Sequence, residues 1–374
     1  MRRATRASIA LAALAAVLAV AGCGSGDGDA TLTIYLSAPQ RGPAAGDGRD
    51  VAAGARLALD DAGDQAGGTP VALEILGDAG GQRPDAARAG ANARTATEDS
   101  TAIAYIGELD SGATRTSLPI TNEAGLLQVS AGASAVDLTR AAPGSDHPPE
   151  RPRPARLHLV GRVVPSDAAQ GAAAAGAMAA APGIRRVWIL GRESPYGESL
   201  RFGFDSVTDA PAVAGGGEVD AIYDVSPRPE AGIPEGVGPL TGLYGADAQA
   251  FATPPRTRMP RGATIVSGPL APQQLPASAD FADLFRSAYD RPPGRFAAYG
   301  YEAMAVVLDA IDRADDPLDR KSVIDSFFAT TDRESVLGTY SIDESGDTTL
   351  SRVGAYVARA DGTLAPAPRP LAVP

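Results

Sequence analysis

Short apolar runs alternate with longer amphipathic stretches along most of the chain. The runs in "ATLTIYLSA", "PVALEILG", "STAIAYIG" and "GLLQVS" have the apolar, largely β-branched pattern of buried strands. Each of the first three precedes a stretch with helical spacing of its apolar residues, such as "RDVAAGARLALDDAG". Strands alternating with helices predict a parallel sheet with helices on both faces. Ligands of such sheets bind beyond the carboxyl ends of the strands.

A proline-rich segment, 142–154, interrupts this alternation, which then resumes. Strands are predicted at "LVGRVVPSD", "IRRVWILG", "EVDAIYDVS" and "ATIVSGPLA", and helices at "AAQGAAAAGAMAAA", "ESLRFGFDSVTD", "ASADFADLFRSAYDR", "AAYGYEAMAVVLDAIDRA" and "KSVIDSFFATT". The chain closes with two predicted strands joined by the turn "DESG", and residues 226–242 stay unassigned. With 374 residues, this α/β chain is long enough for two lobes of ordinary size.

The N-terminus has the pattern of an export signal. A basic stretch, "MRRATRAS", precedes twelve apolar residues, "IALAALAAVLAV", too few to span a bilayer comfortably. Cys23, the only cysteine, follows at the cleavage point and resembles the lipidated cysteine of a bacterial lipobox. We therefore expect a lipoprotein signal peptide at 1–22 and a flexible tether at 23–30. The alternative is an ordinary secretory signal in which Cys23 is incidental.

Charge and residue types exclude several functions. The formal net charge is −12, and an acidic body repels nucleic acid phosphates, so we expect no nucleic acid partner. The only histidines are His147 and His158, and no Gly-x-Ser-x-Gly elbow is present. No group of His, Cys or carboxylate residues has the spacing of a zinc site. We expect a protein that is not an enzyme and has no metal or cofactor.

Two turns of small residues follow neighbouring predicted strands. Ser111, Gly112 and Thr114 lie where the third strand passes into a helix, and Ala133 and Ser134 lie in the turn after the fourth. Small side chains let a ligand approach the backbone, and amides at a helix N-terminus favour a carboxylate. The alternative is that Ser111 or Thr114 only caps its helix. Together the turns indicate a site that holds a small molecule without transforming it.

Six segments in this order resemble the type I periplasmic substrate-binding proteins of ABC importers, in the leucine/isoleucine/valine-binding branch. They are "GARLALDDAG", "AYIGELDSGATRTSLPITNEAGLLQVSAGAS", "GRVVPSDAAQGAAAAG", "SPYGESLRFGF", "AAYGYEAMAVVLDAI" and "LGTYSIDESGDTT". The resemblance implies two Rossmann-like lobes joined by a three-crossover hinge. It places 31–157 and 296–330 in lobe one, 158–295 and 331–365 in lobe two, and leaves 366–374 as a proline-rich tail.

The resemblance also implies a ligand site. Ser111 and the turn with Ala133 and Ser134 correspond to the residues that hold the ligand's carboxylate. Asp167 and Tyr196 correspond to residues on the opening loops of lobe two, and Tyr299 lies near the last crossover, where it is expected to line the cleft. The acidic residue that holds an amino acid's ammonium group has no counterpart in "IVSGPLAPQ". Lobe two also looks shortened near 209–245.

The function implied by the resemblance is capture of a small molecule and its delivery to an ABC permease. We expect an extracytoplasmic monomer, anchored to the outer face of the cell membrane through lipid on Cys23. One alternative is a sensory or accessory lipoprotein that signals to a membrane partner. Another is a homologue that no longer binds a ligand. An enzyme such as an amidase is discounted because no nucleophile–base pair is visible in the sequence.

Overall fold

A computed structural model describes residues 31–78, 85–141, 159–213, 215, 218–226, 239–246 and 259–374. The predicted signal peptide, Cys23, the proline-rich segment and both histidines lie outside these ranges. Within them, no helix is both long and apolar enough to cross a membrane.

The first sheet has six strands in the order β2-β3-β1-β4-β5-β6. They are β1 (Leu32–Ala38), β2 (Gln65–Ala66), β3 (Thr69–Gly77), β4 (Ala102–Ile106), β5 (Leu127–Ser130) and β6 (Val160–Arg162). All pair in parallel except β2, which forms an antiparallel hairpin with β3. The connecting helices are α1 (Ala45–Asp61), α2 (Ala86–Glu98) and α3 (Ser111–Glu123). Since the strands run in parallel, β1, β3, β4 and β5 end on one edge, as predicted.

The second sheet has eight strands, seven of them in the order β13-β12-β11-β10-β9-β7-β8. They are β7 (Arg186–Leu190), β8 (Ala212–Val213), β9 (Ala221–Asp224), β10 (Gly242–Gly245), β11 (Thr264–Ser267), β12 (Arg352–Ala358), β13 (Leu364–Pro366) and β14 (Leu371–Ala372). Strands β7 to β11 are parallel, and β12 is antiparallel to β11. Helices α4 (Asp167–Ala179) and α5 (Pro195–Asp205) pack on this sheet.

Three further helices complete the core of the first sheet. They are α6 (Ser278–Tyr289), α7 (Ala297–Arg313) and α8 (Arg320–Phe328), and their buried side chains join the cluster that covers β1, β4 and β5. We call the first sheet with α1–α3 and α6–α8 the first lobe, and the second sheet with α4 and α5 the second lobe. The described chain passes between the lobes at 163–166, 268–277 and 329–351. The predicted two-lobe α/β fold with three crossovers is confirmed.

Close helix packing explains the chain's high content of small residues. Helix α1 lies so close to α7 that a Cβ on Gly54 would be 1.9 Å from the carbonyl oxygen of Ala297. In the second lobe, a Cβ on Gly171 of α4 would be 1.9 Å from the carbonyl oxygen of Leu200 in α5. Each helix pair therefore depends on the absence of a side chain at its crossing point.

Several sequence boundaries differ from the structure. Strand β6 and helix α6 were assigned to lobe two, yet β6 pairs with β5 and Phe281 and Phe285 of α6 lie in the first core. The segment 337–350 also packs there, through Leu337, Tyr340 and Ile342. Long-range packing, which local patterns do not encode, decides these assignments.

The C-terminal part also differs from the prediction. The stretch before the "DESG" turn forms isolated bridges, such as Ile342 with Thr348, and the regular hairpin is β12 with β13. The predicted tail is part of the sheet, because β14 pairs with β12. In the region thought to be shortened, β8, β9 and β10 are all present, and its described residues form no helix.

Candidate functional site

A cleft of about 630 Å³ lies between the carboxyl edge of the first sheet and the first turns of α4 and α5. The first lobe supplies most of its wall, with Pro39, Pro43, Ala44, Asp47, Leu109, Asp110, Ser111, Gly112, Arg115, Gly132, Ser134 and Ala135. The second lobe adds Asp167, Ser194, Pro195 and Tyr196. The volume is in the range of small-molecule sites, about 300–1,000 Å³.

The N-terminus of α3 forms one side of the cleft. The Asp110 carboxylate caps this helix by accepting a hydrogen bond from the amide of Ala113 at 2.9 Å. Ser111 and Gly112 line the cleft as predicted. Thr114 does not, because its side chain is fully buried and its hydroxyl donates to the carbonyl oxygen of Asp110 at 2.9 Å. Thr114 therefore neither lines the cleft, as was predicted, nor caps α3, because Asp110 is the cap and the Thr114 hydroxyl bonds to the carbonyl four residues before it.

The turn after β5 forms the adjoining wall. The Ser130 hydroxyl donates to the carbonyl oxygen of Glu108 and accepts the amides of Gly132 and Ala133, at 2.8, 3.1 and 2.7 Å. Ala133 is buried and its amide is already bonded, so it does not line the cleft, contrary to the prediction. Ser134 does line the cleft.

The two predicted turns are joined to each other. Because β4 and β5 are neighbours in the sheet, the α3 N-terminus lies beside the turn after β5. The amide of Ala135 donates to the hydroxyl oxygen of Ser111 at 3.2 Å. The predicted meeting of the two turns at one sheet edge is present, and this hydrogen bond fixes their separation.

The second lobe faces these turns with the first residues of two capped helices. Ser166 caps α4 and Ser194 caps α5, each through its hydroxyl oxygen. The amide of Asp167 donates to the carbonyl oxygen of Ser134 at 2.8 Å, a direct bond between the lobes. The Gln170 side chain donates to the Tyr196 hydroxyl at 3.2 Å. Asp167 and Tyr196 both line the cleft, where the sequence placed them.

Tyr299 does not line the cleft. It is fully buried in the first core, and its hydroxyl accepts the amide of Leu270 at 2.8 Å. Its ring packs edge-on against Phe296, with centroids 6.2 Å apart. Tyr299 therefore ties α7 to the crossover at 268–277, and its proposed ligand contact is wrong.

The sequence interpretation missed two charged cleft residues. Arg115 lies one helical turn after Ser111 and makes a bidentate pair with Asp137, at 2.9 and 2.6 Å. Helical spacing from Ser111 could have identified it. Asp47 lies in the first turn of α1, 3.8 Å from Arg295. It was missed because the helix was predicted to begin at 49.

Two buried carboxyl groups lie behind this wall. Glu108 accepts hydrogen bonds from the hydroxyls of Ser37 at 2.6 Å and Tyr105 at 2.5 Å. Burial raises the pKa of Glu108 well above its ordinary value, and the nearby Asp78 charge raises it further. Burial likewise raises the pKa of Asp78 to about 6, helped by the charge of Asp110. The pair therefore holds a proton near neutral pH.

Two α/β lobes, joined by three crossovers and enclosing a cleft at their strand ends, define a bilobal small-molecule-binding protein. The chain belongs to the periplasmic binding protein family, whose profile matches residues 31–221. A comparison with curated protein sequences found no significant match.

Solved structures with the same architecture align along nearly the whole chain. A leucine-binding protein of Thermotoga maritima is 20% identical with a TM-score of 0.67, and the alignment covers 90% of this chain and 97% of that one. An isoleucine complex of a branched-chain amino acid transporter substrate-binding protein from Streptococcus pneumoniae is 19% identical, with a TM-score of 0.65 and coverages of 91% and 99%. An ABC transporter solute-binding protein of Rhodopseudomonas palustris with 3,4-dihydroxybenzoic acid is 17% identical, with a TM-score of 0.65 and coverages of 91% and 96%. These similarities establish the fold.

Proposed function

We propose that this chain is an extracytoplasmic solute-binding protein that captures a small carboxylate- or amide-containing molecule and delivers it to an ABC permease. The observation that carries the proposal is the cleft itself. It is lined by Ser111, Gly112 and Ser134 of the first lobe together with Asp167 and Tyr196 of the second lobe. A ligand held between these walls contacts both lobes, so its binding favours the closed form.

The chemistry of the wall favours an anionic or strongly polar ligand end at α3. Ser111 and Gly112 of its first turn line the cleft, and the positive end of the helix dipole stabilises a carboxylate there. Leucine, isoleucine and dihydroxybenzoic acid, the ligands named for three structures with this fold, all carry one carboxyl group. Asp167 is suited to a positively charged or hydrogen-bond-donating group at the other end of the ligand. We infer that amino acids, amides and aromatic acids are the first compounds to test.

We propose that ligand binding does not need the N-terminal segment, whereas delivery of the ligand to the permease does. We propose that lipid on Cys23 holds the mature chain at the outer face of the cell membrane, with 23–30 as the tether. There a monomer can present its closed form to the permease. Mass spectrometry of the membrane fraction tests this directly, because diacylglyceryl modification of Cys23 adds a defined mass that Cys23→Ser removes.

A thermal-shift screen of the purified mature chain tests ligand binding. The panel contains amino acids, amides, aromatic and aliphatic acids, and short peptides at millimolar concentration. A ligand at 100 times its dissociation constant stabilises the folded state by about 2.7 kcal/mol, which is easily seen. A shift that disappears in Ser111→Ala/Ser134→Ala places the ligand at the first-lobe wall. Ser287→Ala, an exposed α6 substitution, is the matched control.

Two outcomes contradict the proposal. One is a cooperative melt that no compound in the panel shifts. The other is a ligand-induced shift that is unchanged in the double variant, since such a ligand binds elsewhere.

A further inference from the structure

Arg162, the last residue of β6, is one of the most deeply buried charged residues that the structure describes. Its side chain is 1% exposed and does not line the cleft. The guanidinium donates to Asp347 Oδ1 at 2.7 Å and to the Thr139 hydroxyl at 2.6 Å. It also donates to two carbonyl oxygens of the cleft turn, Ala135 at 2.8 Å and Ala133 at 3.4 Å. One buried cation therefore holds both ends of the segment that contains Ser134.

Asp347 is fixed as firmly as its partner. It accepts the Thr139 hydroxyl at 2.7 Å, and Arg140 approaches its second oxygen at 2.6 Å. Burial acts to raise its pKa, but the charge of Arg162, the Thr139 hydrogen bond and the charge of Arg140 hold the pKa of Asp347 below its ordinary value. The carboxylate is therefore charged at neutral pH, and the pair with Arg162 is ionic.

The backbone beside Asp347 is hydrogen-bonded to β6. The amide of Arg162 donates to the carbonyl oxygen of Gly346 at 3.0 Å. Gly346 has a φ of 89°, and a Cβ there would lie 2.0 Å from the carbonyl oxygen of Val160. Only glycine permits this approach. The turn "DESGD" therefore delivers one carboxylate to one buried arginine.

This ion pair joins three segments that are far apart in sequence. Arg162 precedes the crossover at 163–166, Asp347 lies in the crossover at 329–351, and the bonded carbonyls belong to the turn after β5. The carbonyl of Ser134, between those two, accepts the amide of Asp167. Any displacement of the guanidinium is therefore passed to the wall of the cleft and to the start of α4.

We propose that Arg162, oriented by Asp347, is the positioning residue for the ligand-facing turn Gly132–Ala135. The proposal rests on the proposed function only in assuming that this turn contacts the ligand. A buried ion pair is seldom more stabilising than apolar side chains of similar volume. Here the ion pair contributes defined geometry. A planar guanidinium that donates to four acceptors fixes the position of each of them.

The test compares two arginine–carboxylate pairs: Arg162 with Asp347, both buried, and Arg333 with Glu302, in which only the carboxylate is fully buried. In Arg162→Met, Asp347 keeps Arg140 and Thr139 as partners. In the control Arg333→Met, Glu302 loses an arginine at 2.7 Å and keeps the Tyr340 hydroxyl at 2.7 Å. Both variants remove a guanidinium from a buried carboxylate and leave that carboxylate a partner, but Arg333 has no contact with the turn among the described residues.

The first readout needs no ligand. Hydrogen exchange by mass spectrometry follows the peptide that covers 131–138 in the mature chain. We expect Arg162→Met to speed exchange of the turn amides at least tenfold, and Arg333→Met to leave them within twofold of the wild type. Arg162→Lys, which keeps the charge but has no planar fork, is expected to fall between. Equal acceleration in the two methionine variants would mean a purely structural role and overturn the proposal.

The second readout uses the compound with the largest shift in the screen, measured by calorimetric titration. Arg162→Met is expected to weaken its binding at least tenfold and Arg333→Met by less than twofold. If no compound binds the wild type, the proposed function fails, while the exchange comparison still decides the role of Arg162. If Arg162→Met does not fold, Asp347→Asn replaces it. We expect this variant to speed hydrogen exchange of the turn amides at least threefold. An unchanged exchange rate would contradict the proposal.

Discussion

The two lobes share an architecture but differ in what they bring to the cleft. The first lobe supplies a wall in which the Ser130 hydroxyl accepts the amide of Gly132 and the Ser111 hydroxyl accepts the amide of Ala135. The second lobe supplies only the first turns of α4 and α5. Under the proposed function, we therefore expect the first lobe to orient the ligand and the second lobe to cover it.

The lobes also differ in how they bury acidic groups. The carboxyl groups with a raised pKa in the described ranges, Asp50, Asp78, Glu108 and Glu302, all lie in the first lobe. Burial is the largest cause in each case. In the second lobe, backbone hydrogen bonds lower the pKa of Asp220, and hydrogen bonds from Thr363 lower that of Asp361. The four raised pKa values should make the stability of the first lobe fall as the pH rises.

The largest expected effect tests the close packing of helix pairs that both lobes share. Gly54→Ala in α1 and Gly171→Ala in α4 each place a methyl group 1.9 Å from a carbonyl oxygen of the facing helix. We expect each to lower the free energy of unfolding by about 3 kcal/mol, measured by urea denaturation. Gly46→Ala, also in α1, meets nothing within 4 Å and should be neutral or stabilising by about 0.5 kcal/mol. Equal stability of the Gly46 and Gly54 variants would refute the close packing.

The next largest effect tests whether the first-lobe wall of the cleft contributes more to ligand affinity than the second-lobe wall. Ser111→Ala/Ser134→Ala removes two first-lobe hydroxyls, and hydrogen bonds to a charged ligand group contribute about 1.5–3 kcal/mol each. We expect about a 100-fold loss of affinity or more, measured by calorimetric titration. A loss smaller than that caused by Tyr196→Phe would reverse the assigned roles of the lobes.

An effect of intermediate size is expected for the pH dependence of stability, which Asp78 of the first lobe should dominate. Because the folded-state pKa of Asp78 is about 6, the folded chain binds this proton more tightly than the unfolded chain does. The resulting stability is complete below about pH 4 and is lost as the pH rises through about 6. We expect Asp78→Asn to stabilise the chain by on the order of 2 kcal/mol at pH 8, by about half as much at pH 5, and to have little effect near pH 4.

Thermal denaturation across this range measures that response. Asp361→Asn, in the second lobe, is the matched control and should show no gain at pH 8. Glu108, Tyr105 and Asp110 surround Asp78 and are left unchanged. A stability gain that is the same at pH 4 and pH 8 would rule out titration of Asp78 as the cause.

The smallest expected effect concerns the second-lobe wall. Tyr196→Phe removes a hydroxyl that accepts a hydrogen bond from Gln170. We expect a loss of affinity of about threefold, because one hydrogen bond contributes about 0.5–1.5 kcal/mol. Titration against the same compound gives the value directly, and a loss above tenfold would show that the second lobe anchors the ligand instead of covering it.

The candidate site was predictable only in part, and the failures share a cause. Ser111, Gly112 and Ser134 were placed by local pattern, because they follow strands, and Asp167 and Tyr196 were placed by the resemblance. All five line the cleft. Thr114 and Ala133 lie beside them in sequence but face inward, and sequence spacing alone did not reveal which way each points. Tyr299 was placed by resemblance alone and proved to be a core residue.

The sequence by itself determined the alternation of strands and helices, the two-lobe α/β class and the edge where the cleft lies. These follow from short-range periodicity and from the handedness of crossovers. Only the tertiary structure decided which lobe receives β6 and α6, and that Arg162 and Asp347, 185 residues apart, meet behind the cleft turn. Such contacts depend on how distant segments pack together, and the pattern of neighbouring residues does not record that packing.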